Sequence, residues 1–449
     1  MKINRLLKAN PFFKNVVTLA SGTTIAQGLQ LVVSPILTRL YTPDEFGLLA
    51  LFVSFTAFLS VLATGRYELA VILPEKESHA RKIVRLCIIL LALSLIVFTL
   101  IFTFGRNGIL AFITDKRIGG WLYFVPVTVF LFSAFEVFKY YCIRHKAYRA
   151  VSESSIIKAG TASLVPLAFG FGNTGAMGLI LGYILSFCTG NLRLFKVFLK
   201  HKSSGETPSY RFRDLKYVAG RYKKFPKLTM PSHLVDTASD QLPVFVFSSF
   251  FTSSVVGFYS MTQRVLRLPL TVIGTAVGQV YFQKANESKS DPLALKNLTW
   301  GLYKKLVLIA VVPLGILLFF GHEIFGFVFG PAWIVLGDYG RALGIWYFFI
   351  FIASPLSNLF FVLEKQKEGL IFHLINFTAK VLVLLLCIFL HFGALKTVYG
   401  FGLIGALAFF GFTVYLLTLA GQKVWRVCLY TFLVMLAGIV PVYLLSMLI

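Results

Sequence analysis

The sequence predicts an all-α polytopic membrane protein of about 12 to 13 transmembrane helices, arranged as two six-helix lobes related by a parallel pseudo-two-fold repeat. Three observations carry this. Of 449 residues, 57% are apolar and only 14% are charged, with 47 Phe among them, whereas soluble chains hold about 45–50% and 25%. Apolar stretches of membrane-crossing length recur from one end to the other. The basic residues, which give a net charge of +25, concentrate in alternate connections. A soluble chain of this length would split into domains with polar surfaces and linkers, so the bilayer is the solvent.

A helix rising 1.5 Å per residue needs about 20 apolar residues to cross about 30 Å of hydrocarbon. Such spans lie near 14–38, 46–73, 86–104, 119–142, 154–171 and 175–195. A second set follows near 229–250, 254–282, 301–321, 338–363, 369–391 and 398–420, with a thirteenth near 427–448. The basic N-terminus leads into a stretch that holds polar residues and lacks a small-residue cleavage site, so it is expected to be a first membrane helix rather than a removed signal. The five cysteines sit in or beside apolar segments without CxxC spacing and are expected to be packing residues, with no metal.

Charge sets the orientation. With the N-terminus cytoplasmic, the loops on that side (the tail and those near 74–85, 139–158, 193–227, 284–305, 364–368 and 423–426) hold 33 Lys and Arg. The opposite loops hold six, Arg39, Arg106, Lys116, Arg117, Arg341 and Lys396. The positive-inside rule thus places the tail in the cytoplasm, with anionic membrane lipids rather than nucleic acid as the polyanion.

Domain boundaries follow from the longest connection, Lys196 to Lys227, which carries ten basic residues. The expected organisation is an N-terminal lobe over 1–198, a basic linker over 199–228 with a surface-lying helix near 210–224, a C-terminal lobe over 229–422, and an extra helix over 423–449. The hairpin LYTPDEFGLL recurs 210 residues later as FFTSSVVGFY, with Thr42 over Thr252 and Gly47 over Gly257. A six-span repeat returns the chain to the same side, which makes the repeat parallel. The outer loops are short, and their acids Asp44, Glu45, Asp115, Glu323 and Asp338 are scattered, which speaks against a membrane glycosyltransferase or polymerase.

A charge at the centre of a span costs about 2.5–3.5 kcal/mol on insertion scales and usually faces a partner or a wet interior. Spans seven and eight form a tight hairpin turning near Thr252, so Asp240 is expected level with Arg264, and Asp236 level with Arg267. Either these are neutralising salt bridges, or Arg264, about 16 Å below the outer surface, holds an anion with its fork of donors. Lys380 has no carboxylate nearby in sequence. Arg66 and Glu68 sit about two turns from the inner end of span two, where snorkelling is an equal explanation, and Gln263 adds a polar position beside Arg264. Asp236, Asp240 and Glu68 are the carboxylates placed for coupling to a proton or Na⁺. No GxxxxGK[ST] loop is present, so ATP hydrolysis on this chain is not expected, and neither is a bound cofactor.

The stretches SPILTRLYTPDEFGLLALFVSF, ATGRYELAVILPEKE, YKKFPKLTMPSHLVDTASDQLPVF and VGFYSMTQRVLRLPLTVIGTAVGQVYFQKANE resemble the Wzx-type polysaccharide flippases of the multidrug, oligosaccharidyl-lipid and polysaccharide exporter superfamily. The resemblance spans Asn15 to Gln422. It implies two lobes around a central cavity and an undecaprenyl-pyrophosphate-linked repeat unit as cargo, moved to the periplasmic leaflet for O-antigen, capsule or exopolysaccharide synthesis. It also implies a polymerase and chain-length proteins as partners, and basic cavity residues that meet the pyrophosphate, with Arg264, Arg267, Lys380 and Arg66 in matching positions. The superfamily's drug-exporting branch, an ion-coupled antiporter, is the alternative.

Overall fold

The computed structural model describes residues 11–200 and 212–448, and every element among them is helical. The tail at 1–10, most of the linker's first half at 201–211, and residue 449 lie outside the described residues, and so does the Tyr210 end of the expected linker helix. The long helices are α1 (Pro11–Leu40), α2 (Pro43–Ala63), α3 (Glu77–Phe104), α4 (Val125–Arg144), α5 (Tyr148–Gly170) and α6 (Met177–Lys200). The linker helix α7 (Phe212–Arg221) follows, then α8 (Met230–Phe250), α9 (Ser253–Pro269), α10 (Thr275–Glu287), α11 (Pro292–Phe329), α12 (Leu336–Leu356), α13 (Gln366–Phe389), α14 (Ala394–Leu419) and α15 (Val424–Leu448).

Among the described residues, nine helices are long and apolar enough to cross a membrane. The helices α1, α5, α8 and α9–α10 fall short of that measure although they lie where the sequence predicts spans. The reason is compositional: they carry Gln27 and Gln30, Lys158, Asp236 and Asp240, and Arg264 and Arg267. Mean hydropathy is lowered where a helix turns a polar stripe away from lipid.

Packing divides the chain into two compact units, Met1–Val256 and Gly257–Ile449. The division falls in the first turn of α9, because α8 packs on α2 through Phe55 and Phe245, whose ring centroids are 5.0 Å apart, and through Ser54 Oγ, which donates to Gln241 Oε1 at 2.7 Å. In the first unit α5 packs on α1 and α6, α4 on α6, and the linker helix on α3. In the second, α13 packs on α14, α12 on α11 and α14, and α15 on α11. The pairs α5/α6 and α4/α6 thus recur as α13/α14 and α12/α14.

Local sequence sets the ends. Thr42 caps α2 with a reciprocal box: its hydroxyl accepts from the Glu45 amide, while Glu45 Oε2 accepts from the Thr42 amide at 2.7 Å. Proline widens two turns into π-helix, at Phe225–Thr229 around Pro226 and at Leu270–Gly274 after Pro269, because its missing N–H breaks the ordinary ladder. The five cysteines are free thiols, with Cys87, Cys142 and Cys387 buried.

Candidate functional site

Span two is not continuous over 46–73. Helix α2 stops at Ala63, Gly65 and Arg66 both take left-handed backbone at φ +59° and +63°, and a 3-10 segment, Tyr67–Ile72, completes the segment. Glycine enters that region freely, whereas an Arg there costs about 1–2 kcal/mol. The side chain is held in return: Arg66 Nη1 donates to Glu68 Oε1 at 3.2 Å, and the Thr64 hydroxyl donates to Glu68 Oε2. Glu68 is 2% exposed, and Arg66 Nε is buried without an acceptor. Arg66, partly buried, and Glu68, buried, therefore form one pair at a helix break, and snorkelling along a regular helix does not describe them.

On α8, Ser232, Asp236 and Asp240 are exposed at four-residue intervals and so share one face. Along α9, the π-helical turn at Leu270–Gly274 and α10, Arg264, Thr271, Thr275 and Gln279 are exposed within about one face. The lipid-facing stripe of α3 is different in kind: Ile88, Ile89, Leu93, Ile96, Val97, Leu100, Ile101 and Phe104. Charges at span depth rarely face hydrocarbon, so the α8 and α9 stripes are the faces suited to a polar interior. Arg264 lies about 16 Å along α9 from Ser253. Gln263 Nε2 donates to Tyr259 Oη at 2.6 Å, and Arg267 Nε donates to Tyr347 Oη at 3.3 Å. Tyr259 and Tyr347 thereby hold the side chains flanking Arg264.

Lys380 is 4% exposed and sits in an aromatic box. Its Nζ is 4.4 Å from the Trp346 ring centroid and 5.6 Å from that of Phe401, which are themselves edge-to-face at 5.2 Å and 90°. Gly405 makes the box: a Cβ there would come 2.7 Å from the Trp346 ring, so the ring lies flat on the α14 backbone. Tyr259 joins through Phe401 at 6.3 Å. The second unit therefore connects Gln263, Lys380 and, through Tyr347, whose ring is tilted at 54° and 5.1 Å from that of Trp346, Arg267.

The loop count places Lys158 with the cytoplasmic connections; in the structure it lies inside α5, ten residues from its start, about 15 Å along the helix. Its Nζ is 5.0 Å from the Phe135 centroid and 4.4 Å from that of Phe187. Its position beside a dense basic run hid it, and an alignment of the two fifth spans, in which Ser154 and Lys158 lie 222 residues before Asn376 and Lys380, is the signal that finds it. The outer acids serve the loops. Glu45 caps α2, Asp115 holds Arg117 at 2.6 Å and the Ser253 hydroxyl at 2.6 Å, and Asp338 contacts His322 at 3.0 Å. Toward the ends of α4 and α6, Lys139 pairs with Glu136 at 2.5 Å and Arg193 with Glu153 at 2.6 Å.

Comparison with solved structures places the fold. A lipid II flippase MurJ in an inward closed conformation is similar with a TM-score of 0.72 at 11% identity, covering 96% of this chain and 92% of that one. An inward-facing multidrug resistance MATE family transporter of the MOP superfamily follows at 0.67 and 12% identity, covering 91% and 95%. No curated protein sequence matches the chain. The helical fold is thus similar to that of these two membrane proteins, and the chain is a multi-pass membrane protein. The profile of the family described as polysaccharide biosynthesis protein matches residues 36–337, more than half of the sequence, and the chain belongs to that family.

Proposed function

We propose that the protein is a flippase that moves an undecaprenyl-pyrophosphate-linked oligosaccharide repeat unit from the cytoplasmic to the periplasmic leaflet of a bacterial inner membrane by alternating access, supplying O-antigen, capsule or exopolysaccharide synthesis. The observation that carries this reading is Arg264: a guanidinium exposed at span depth on a polar stripe, flanked by Gln263 and Arg267, which tyrosines position, in a polysaccharide biosynthesis family member. A guanidinium stays charged at any working pH and matches phosphate oxygens in pairs. Arg264, Arg267 and Gln263 then meet the pyrophosphate, with Lys380 and Arg66 as further basic positions, while the polyprenyl tail stays in lipid. The N-terminus is cytoplasmic, and a polymerase and chain-length proteins act on the product.

Asp236 and Asp240, exposed on one face of α8, favour coupling to H⁺ or Na⁺. They are also what an ion-coupled multidrug antiporter would use, which is the second reading. Glu68 is a weaker coupling candidate because Thr64 and Arg66 already bind it.

Silencing the gene tests the function. The lipid-linked repeat should accumulate on the inner leaflet and be identified by mass analysis, whereas unchanged surface polysaccharide contradicts the reading. For the site, Arg264→Ala should abolish export. Export restored by combining it with Asp240→Ala would mean that the two residues only neutralise one another.

A further inference from the structure

The aromatic box around Lys380 has a twin inside the first unit. Lys158 comes from the fifth span, Phe135 from the fourth and Phe187 from the sixth; Lys380, Trp346 and Phe401 come from the corresponding helices α13, α12 and α14. The details repeat. Phe135 and Phe187 are edge-to-face at 6.1 Å and 77°, as Trp346 and Phe401 are at 5.2 Å and 90°. The fourth-span ring lies against a sixth-span glycine in both, with a Cβ on Gly190 falling 3.0 Å from the Phe135 ring and one on Gly405 2.7 Å from the Trp346 ring. One turn before each lysine stands a buried polar residue, Ser154 or Asn376; the Ser154 hydroxyl donates to the Gly190 carbonyl at 2.7 Å.

Rings accept no ordinary hydrogen bond from an ammonium at this depth. Its two cation–π contacts contribute about 0.5–2 kcal/mol each, at best matching the about 2.5–3.5 kcal/mol that a Lys at the centre of a span costs. The carboxylate whose charge reaches Lys158 is Glu136, and Lys139 already binds both of its oxygens, at 2.6 and 2.5 Å. Lys158, Lys139 and Glu136 together leave one net positive charge. Lys158 is partly buried whereas Lys380 is 4% exposed, so of the two ammonium groups Lys158 is the less enclosed.

We propose that Lys158, seated on Phe135 and Phe187, is an anion-binding residue of the first lobe that takes a phosphate group of the transported lipid. This rests on the flippase reading and deepens it: each lobe then carries its own seat for the anionic head, built by the same three helices. The rings hold the ammonium in place and leave its N–H donors for phosphate oxygens.

The test uses the full chain in nanodiscs with undecaprenyl diphosphate as ligand and undecaprenol as the uncharged control. Lys158→Met should weaken diphosphate binding about tenfold or more, the scale of one lost charge-assisted hydrogen bond, and leave undecaprenol binding unchanged. Lys158→Arg should stay within about threefold of the parent, and it keeps the test valid if the Met variant folds poorly. Diphosphate affinity unchanged in Lys158→Met, or a parallel loss for both lipids, overturns the inference and leaves the flippase reading standing. A parent protein that binds no undecaprenyl diphosphate removes both.

Discussion

At the scale of single residues, the groups proposed to act are polar residues standing in apolar helices, and the geometry separates them into two kinds. Arg264, Asp236 and Asp240 are exposed at span depth on polar helix faces. Lys380 and Glu68 are enclosed and held by rings or by neighbouring donors. The sequence reveals that both kinds are out of place in a membrane. It does not distinguish them, because exposure depends on what the next helix offers: the Trp346 ring covers Lys380 only because Gly405, 25 residues further on, has no side chain. Gly405→Ala should therefore push the ring off the helix and destabilise the protein by about 1–3 kcal/mol, the usual range for overpacking, read as a lower thermal midpoint in detergent. An unchanged midpoint would mean that the ring has another place to go.

At the scale of elements, helix existence was legible, because about 20 apolar residues with charges at their ends leave little else for the backbone to do. The breaks were not. Nothing in ATGRYELAV marks the left-handed pair Gly65–Arg66 except the glycine, and the second residue is held there by contacts with Glu68. The linker helix was visible as a basic stretch with apolar spacing, but its seat was not. Val218 is 1% exposed, Lys82 pairs with Asp214 at 3.2 Å, and Tyr67 Oη donates to the Ala219 carbonyl at 3.0 Å. Val218→Asp should release the helix by burying an unpaired charge, seen as faster proteolysis between Lys200 and Tyr222 with the spans intact. The outer loop before α4 has a pH signature. Burial raises the Asp115 pKa, but hydrogen bonds from Arg117 and Ser253 outweigh it and hold the carboxyl below its usual value. A depressed carboxylate adds stability that is present above the unfolded pKa and lost as pH falls through the folded one. Thermal midpoints should therefore drop in acid below about pH 4, and more shallowly in Asp115→Asn. Equal slopes would show that the loop contributes nothing.

At the scale of the whole molecule, the charge of +25 is accounted for by the expected orientation, and the chain belongs to a polysaccharide biosynthesis family with a fold similar to that of a flippase. Orientation is checked by thiol labelling in a variant lacking the native cysteines: a cysteine at Lys202 should react only from the cytoplasm, and one at Arg117 only from outside. The internal repeat was legible at one hairpin through two threonines and two glycines. At the aromatic boxes it was hidden, because Trp346 and Phe135 share a role and not a letter.

The central claim is that this chain carries a lipid-linked glycan across a bilayer. Proteoliposomes loaded with undecaprenyl-pyrophosphate-linked oligosaccharide on both leaflets, and treated with a membrane-impermeant enzyme that cleaves the glycan, measure this directly. The parent protein should make nearly all of the glycan accessible, while Arg264→Ala should leave about half protected, as in liposomes without protein. Half of the glycan remaining protected with the parent protein present would contradict the account.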